Sequence, residues 1–263
     1  MKMLNPKPNI RISRCRNLTS VLILITLAFV SVSCGKDNAF DLFQSSGPVV
    51  KEERDATKFF NKISIYNNIN LVITQGPNTS ITIEGGSNLL SDITTETGDD
   101  STLTIRNLNK YNWVRSYDKE ITAYLQINRL WNIRYESSGD ITTTDTLHLD
   151  SLRVEAWGGS GTIKMDINCG TSSFIMQYGS MDFDISGKCG VTYIFANSYG
   201  PFNCLGLKSI NTFIRNSGTN DCYVNAIERI DADLRSVGNI YYSGNPPVVN
   251  ANVTGTGQLI PIR

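Results

Sequence analysis

Few residues in this chain are equipped to make or break bonds. His148 is the only histidine in 263 residues. It lies in Thr146-Leu-His-Leu-Asp150, where apolar and polar residues alternate, so its plain role is an outward polar side chain on a strand. A Ser-His-Asp triad would have to run through it, and no nucleophile-elbow sequence accompanies it. A zinc site built on several histidines is excluded by count. Acidic pairs recur at Asp182/Asp184 and Asp231/Asp233, and the i, i+2 spacing puts each pair on one strand face. Such carboxylates with backbone carbonyls suit Ca²⁺; solvated outward side chains are the simpler reading. Gly158-Gly-Ser-Gly-Thr-Ile163 does not match the Gly-Gly-x-Gly-x-Asp repeat of calcium-binding solenoids. No cofactor or metal site is expected.

The six cysteines divide by position. Cys15 falls in a leader and Cys34 directly after it. Cys169 and Cys189 each stand eight residues after a turn position, Gly161 and Met181. Cys204 and Cys222 each stand four residues after Gly200 and Gly218. On that spacing each pair takes equivalent places in neighbouring repeats, one strand spacing (about 4.8 Å) apart. A reduced inward ladder is the plain outcome, since a free thiol packs as a small hydrophobe. Disulfides are permitted in an exported protein, though lateral neighbours on parallel strands seldom meet the required dihedral. A four-cysteine metal site would need all four to converge.

Aromatic residues gather at Tyr111, Trp113, Tyr117 and Trp131, around the irregular stretch from Asn107 to Glu120. With asparagines and Arg115 nearby, they are candidates to stack on sugar rings or to dock a protein partner. The competing role is to cap an open end of the fold, which would otherwise offer an unpaired edge.

The elements that position these residues are imperfect copies of one short unit. Turn positions at Gly139, Gly161, Met181, Gly200, Gly218, Gly238 and Gly257 are separated by 22, 20, 19, 18, 20 and 19 residues. Two residues later come Ile141, Ile163, Phe183, Phe202, Asn220, Ile240 and Leu259, apolar in every copy but one. Before each turn the pattern alternates, at Ile133/Tyr135, Val154/Ala156, Phe174/Met176, Tyr193/Phe195, Phe213, Ala232/Leu234 and Ala251/Val253, with the distance to the turn slipping by one residue between copies. A unit of about 20 residues cannot bury its own apolar face, whereas stacked units share one continuous core. The sequence therefore predicts an all-β chain, a parallel β-solenoid of about 20-residue coils, with a meander sandwich of hairpins as the competitor. Residues 58–130 supply N-terminal strands and 131–263 the regular repeats. Pairs of carboxylates for glycoside hydrolysis would form between coils, so sequence cannot pick them; no Lys/Arg/Asp cluster recurs at one position over three coils.

Residues 1–33 read as an export signal. Lys2, Lys7, Arg11, Arg14 and Arg16 open it, and Val21 to Val30 is an apolar run too short to span a membrane as a helix. Ser31-Val32-Ser33-Cys34 resembles a bacterial lipobox, which makes Cys34 the lipidated first residue of the mature chain. Residues 34–57 read as a tether. Removal of the leader's five basic residues leaves 19 Lys and Arg against 24 Asp and Glu, a net of −5. Without a basic block, nucleic acid is not an expected partner. The membrane is, through the lipid.

Phe60-Asn-Lys-Ile-Ser-Ile65, Ile81-Thr-Ile-Glu-Gly85, Ser138-Gly-Asp-Ile141, Gly159-Ser-Gly-Thr-Ile163, Ser236-Val-Gly-Asn-Ile-Tyr-Tyr-Ser-Gly-Asn-Pro246 and Gly255-Thr-Gly257 together resemble the head GIN domain of auto-transporter adhesins, common among Bacteroidetes lipoproteins. The resemblance covers roughly 59–263. It implies a right-handed parallel β-solenoid-like fold without enzymatic activity, on the outer membrane, presenting a surface to a protein or glycan. A carbohydrate-binding module or polysaccharide-degrading enzyme on the same fold is the alternative. Met181 and Gly200-Pro201 depart from the small-Gly-Asp turn pattern of the family.

Overall fold

A computed structural model describes residues 45–109 and 120–262. Tyr111, Trp113, Tyr117 and Cys34 lie outside the described residues. The rest is strand and turn, apart from one 3₁₀ turn at Leu90–Asp92. The strands are β1 (Val49–Arg54), β2 (Lys62–Asn67), β3 (Asn70–Gln75), β4 (Ser80–Gly86), β5 (Ile93–Thr97), β6 (Thr102–Asn107), β7 (Thr122–Ile127), β8 (Asn132–Ser137) and β9 (Ile141–Thr143) in the N-terminal half. The C-terminal half holds β10 (Leu147–Gly159), β11 (Thr162–Tyr178), β12 (Asp182–Ala196), β13 (Phe202–Asn216), β14 (Cys222–Leu234), β15 (Ile240–Ser243), β16 (Val248–Val253) and β17 (Leu259–Pro261).

Strands β10 to β14 run 13 to 17 residues, longer than one flat face needs, because each bends round a corner of its coil. Consecutive coils pair in parallel, β10 with β11, β11 with β12, β12 with β13 and β13 with β14. In a parallel ladder the same position of each coil stacks directly on the last, about 4.8 Å away. Inward residues thus form columns. One runs Leu71, Ile141, Ile163, Phe183, Phe202, Cys222, Ile240, Leu259. Another runs Leu103, Ile63, Ile133, Val154, Phe174, Ile194, Ile214, Ala232. Every member of the second column is buried, and the first stays buried as far as Ile240. The predicted stack of coils around one shared interior is the observed fold, and the hairpin sandwich is not.

Three local differences have identifiable causes. The coil after Gly200 turns at Asn220, not Gly218, so Cys222 rather than Asn220 takes the inward place beside Phe202. Gly218 packs instead on the Ser198 carbonyl of the coil before, only 2.1 Å from where its Cβ would be. The N-terminal strands also do not simply extend the stack in chain order. β2 lies between β6 and β8, and β3 between β7 and β9, so the first coil is sandwiched by later chain. Antiparallel pairs β4–β7 and β5–β6 close this region. Finally, Val49–Arg54, inside the expected tether, is an edge strand pairing antiparallel with β4; its charged side chains suit an exposed edge.

Candidate functional site

Alternation that sends one set of side chains inward sends the other outward, and the parallel register lines these up too. One outward column reads Arg153, Ser173, Tyr193, Phe213, Asp231, Asn250; its neighbour reads Arg134, Glu155, Ile175, Phe195, Arg215, Asp233, Asn252. The face therefore starts on charged residues, is aromatic in the middle, and passes through Arg215, Asp231 and Asp233 to the amides Asn250 and Asn252. Tyr193 stacks on Phe213 with ring centroids 5.2 Å apart. The Arg215 guanidinium lies 5.6 Å from the Phe195 centroid and Arg229 lies 6.0 Å from that of Phe213. Such cation–π contacts hold rings and guanidiniums in fixed orientation. At the N-terminal side Arg134 covers Trp157 at 4.9 Å, and the Trp157 indole N–H donates to Glu155 Oε2 at 2.9 Å.

Where the aromatics give way to carboxylates, a groove of about 430 Å³ opens between Phe195, Phe213, Arg215, Asp231, Asp233 and Asn252. That volume falls among small-molecule sites, which run to about 300–1,000 Å³. Arg229 grips Asp231 with two bonds, Nε to Oδ2 at 2.6 Å and a second to Oδ1 at 3.1 Å. Asn250 Nδ2 also donates to Asp231 Oδ1, at 2.7 Å. Asp233 accepts from Arg215 Nε at 3.1 Å and Arg235 Nε at 2.8 Å. The hydrogen bond from Arg229 holds the Asp231 carboxyl below its ordinary range. Partial burial pushes Asp233 up, but its two arginines outweigh that and leave it low as well. Both carboxylates are ionised at neutral pH and already engaged by guanidiniums. The site supplies a rigid array of acceptors and donors beside aromatic faces. It has no free base or nucleophile.

The other sequence candidates are placed as follows. His148 is exposed, and its backbone is clamped by the Gln75 amide: Gln75 Nε2 donates to the His148 carbonyl at 2.9 Å and Gln75 Oε1 accepts its N–H at 2.7 Å. Trp131 is exposed, with Lys62 Nζ 5.7 Å from its ring. These two residues border a polar depression of about 810 Å³ along one corner of the coils, with Gln75, Arg129 and Asp150. Asp182 is exposed and Asp184 accepts from Asn203 Nδ2 at 3.3 Å. Among the described residues no three His, Cys, Asp or Glu gather to hold a metal. Cys169 and Cys189 are in register with Sγ atoms 3.3 Å apart. Cys204 and Cys222 are not equivalent: Cys222 opposes Phe202 and Cys204 opposes Val224, a consequence of the misplaced turn at Gly218. The sequence singles out Asp231/Asp233 but places Tyr193, Phe195 and Phe213 in the apolar set that alternates before the turns. In the fold these three face outward, and Ile194, Ala196 and Ile214 are the buried residues, because the alternation slips by one residue between copies and only the register across coils shows by how much.

Among solved structures, the chain is similar to a putative adhesin from Bacteroides fragilis at 23% identity, with a TM-score of 0.72 over 82% of this chain and 97% of that one. It is also similar to a protein from Parabacteroides distasonis described as a putative lipid binding protein, at 14% identity and a TM-score of 0.61 over 83% of this chain and 98% of that one. A putative adhesin from Parabacteroides distasonis shares 17% identity with a TM-score of 0.58, over 82% and 98%. At these identities the likeness is one of fold. No protein of curated function matches. Residues 59–246 match the family described as putative auto-transporter adhesin, head GIN domain, and the chain belongs to that family.

Proposed function

We propose that this chain is a non-catalytic lipoprotein of the cell envelope, held to the outer membrane by a lipid on Cys34, and that its solenoid binds glycan chains. The carrying observation is the outward face in which stacked aromatics run directly into a groove of paired carboxylates, arginines and amides. A pyranose ring presents C–H groups on one side and hydroxyls at its rim. The first stack on an aromatic ring, and the second exchange hydrogen bonds with Asp, Asn and Arg groups whose orientation is already fixed. Fixed groups bind at a lower entropic cost than mobile ones. A repeated unit every coil also suits a repeated unit in the ligand. Trp131, with Lys62 Nζ 5.7 Å from its ring, borders the separate polar depression beside His148 and offers a second place for a sugar ring to stack.

The leader supports the export step and the lipobox-like cysteine supports the anchor. A single acyl chain gives only marginal membrane binding, so more than one is needed for stable attachment. A glycan array probed with the full chain, followed by a reducing-end assay on whatever is retained, tests the proposal. Retention without new reducing ends is the expected result. Failure to retain any glycan, or release of new ends, overturns it.

A further inference from the structure

A second groove lies along the corner where β11, β12 and β13 bend. It has a volume of about 310 Å³ and contains Cys169, Cys189, Gly190, Lys188, Lys208 and Ile210. It meets the depression beside Trp131 at Asn168 and Cys169, which border both. Cys169 and Cys189 are nearly buried, 7% and 4% exposed as whole residues, and both line this groove, whereas Cys222 is fully enclosed and lines none of it. Glycines follow both cysteines, at Gly170 and Gly190. A Cβ at Gly190 would sit 2.6 Å from the Gly170 carbonyl, so this position of the bend tolerates no side chain.

Cys169 and Cys189 occupy the same position of consecutive coils. Parallel neighbours lie about 4.8 Å apart, inside the Cα separation of roughly 4.4–6.8 Å that a disulfide accepts. With the sulfurs 3.3 Å apart, bonding requires them to close to about 2 Å and to reach the disulfide dihedral by side-chain rotation. We propose that Cys169 and Cys189 form a reversible thiol–disulfide exchange site open to small-molecule disulfides, with Cys189 as the attacking sulfur and Cys169 as the resolving one.

The surroundings separate the two roles. Ser172 Oγ is 3.3 Å from Cys189 Sγ and donates to Thr192 Oγ1 at 3.0 Å, forming a buried hydroxyl pair beside that sulfur. Lys188 and Lys208 line the same groove and give it a positive rim. The hydrogen bond from Cys169 pulls the Cys189 thiol down, while the same bond and burial push Cys169 up so that it keeps its proton. Cys204 and Cys222 lack all of this. Burial pushes both up, Cys222 to about 12, and their positions are out of register.

The exchange balances. The Cys189 thiolate attacks one sulfur of the disulfide, whose S–S bond breaks and releases one thiolate. The Cys169 thiol gives its proton to that thiolate and attacks Cys189 sulfur, releasing the second, which takes up the proton that Cys189 lost on ionising. Two protein thiols lose two electrons and one small disulfide becomes two thiols. The product covalently joins neighbouring coils. The inference rests on the proposed export only for the oxidising setting, and its test does not depend on glycan binding.

The full-length protein, reduced, is equilibrated with glutathione disulfide, acid-quenched, alkylated in denaturant and peptide-mapped. The expected product is one cross-linked peptide joining Cys169 and Cys189, two hydrogens lighter and reversed by dithiothreitol, with Cys204 and Cys222 fully alkylated. In Cys169→Ser, glutathione remains on Cys189; in Cys189→Ser, neither cross-link nor adduct forms. Alkylation of both cysteines after oxidation, glutathione as the final adduct in the wild type, or a bond to another cysteine overturns the proposal. The wild-type map decides alone if a variant does not fold.

Discussion

Phe183 lies flat on Phe202, ring centroids 4.4 Å apart and planes 12° from parallel. They belong to consecutive coils and share an inward column, with Phe174 meeting Phe183 edge-on at 6.2 Å. Both stacked rings are essentially without solvent contact. Replacing Phe202 with Ala opens a cavity between two coils that cannot collapse without breaking register. Denaturant unfolding is expected to show a loss of about 3–5 kcal/mol for Phe202→Ala, and a much smaller loss for Phe202→Leu.

The closeness of the coils makes a second prediction. Gly187 has φ of +111°, and a Cβ there would meet the Ile167 carbonyl oxygen at 2.0 Å. Gly158 has φ of +134° but faces open space. Both substitutions to Ala carry backbone strain of about 1–3 kcal/mol; only the first adds a clash with rigid backbone. Thermal unfolding should place Gly187→Ala well below Gly158→Ala. Equal midpoints would show that the coils part easily.

The carboxylates of the outer face set a pH dependence. Asp231 and Asp233 titrate below their ordinary value in the folded chain, so the unfolded chain binds protons first as pH falls. Their contribution is complete above the unfolded aspartate value of about 3.9 and is lost as pH drops through the lower folded value. Thermal midpoints measured against pH should be flat with respect to this pair from neutral to about 5 and fall below that. Asp233→Asn should flatten part of the fall. Because the pair is largely solvated, the variant is expected to change stability at neutral pH by under about 1 kcal/mol.

The proposed membrane attachment rests on one sulfur. Cys34→Ser is expected to move the protein from the membrane to the soluble fraction and to abolish incorporation of radiolabelled palmitate. Continued labelling in the variant would place the lipid elsewhere.

Much of the fold was legible because the inward columns are written in the chain. Residues two after each turn, from Ile141 through Phe202 to Leu259, are bulky at a spacing near one coil, and nothing but stacking buries them together. The exception, Asn220, was itself a clue: the true inward residue is Cys222, and the apparent turn at Gly218 is a glycine serving close coil contact. The N-terminal order was not legible, since β2 could pair with either neighbour and only the folded chain shows that it takes both. The candidate face was half legible. Asp231 and Asp233 share a strand, so spacing alone joins them, whereas Phe195, Phe213 and Asp231 meet only through register between strands.

The measurement closest to the central claim is calorimetric titration of the full chain with a glycan retained on the array, comparing Phe213→Ala with Tyr223→Ala. Phe213 stacks with Tyr193 on the proposed face; Tyr223 stacks with Tyr241 at 4.9 Å on the other run of strands. Loss of affinity by about tenfold or more, roughly 1.4 kcal/mol, in Phe213→Ala alone is the predicted result. Unchanged affinity in Phe213→Ala, or an equal loss in both, would contradict binding at the Phe195–Asp233 face.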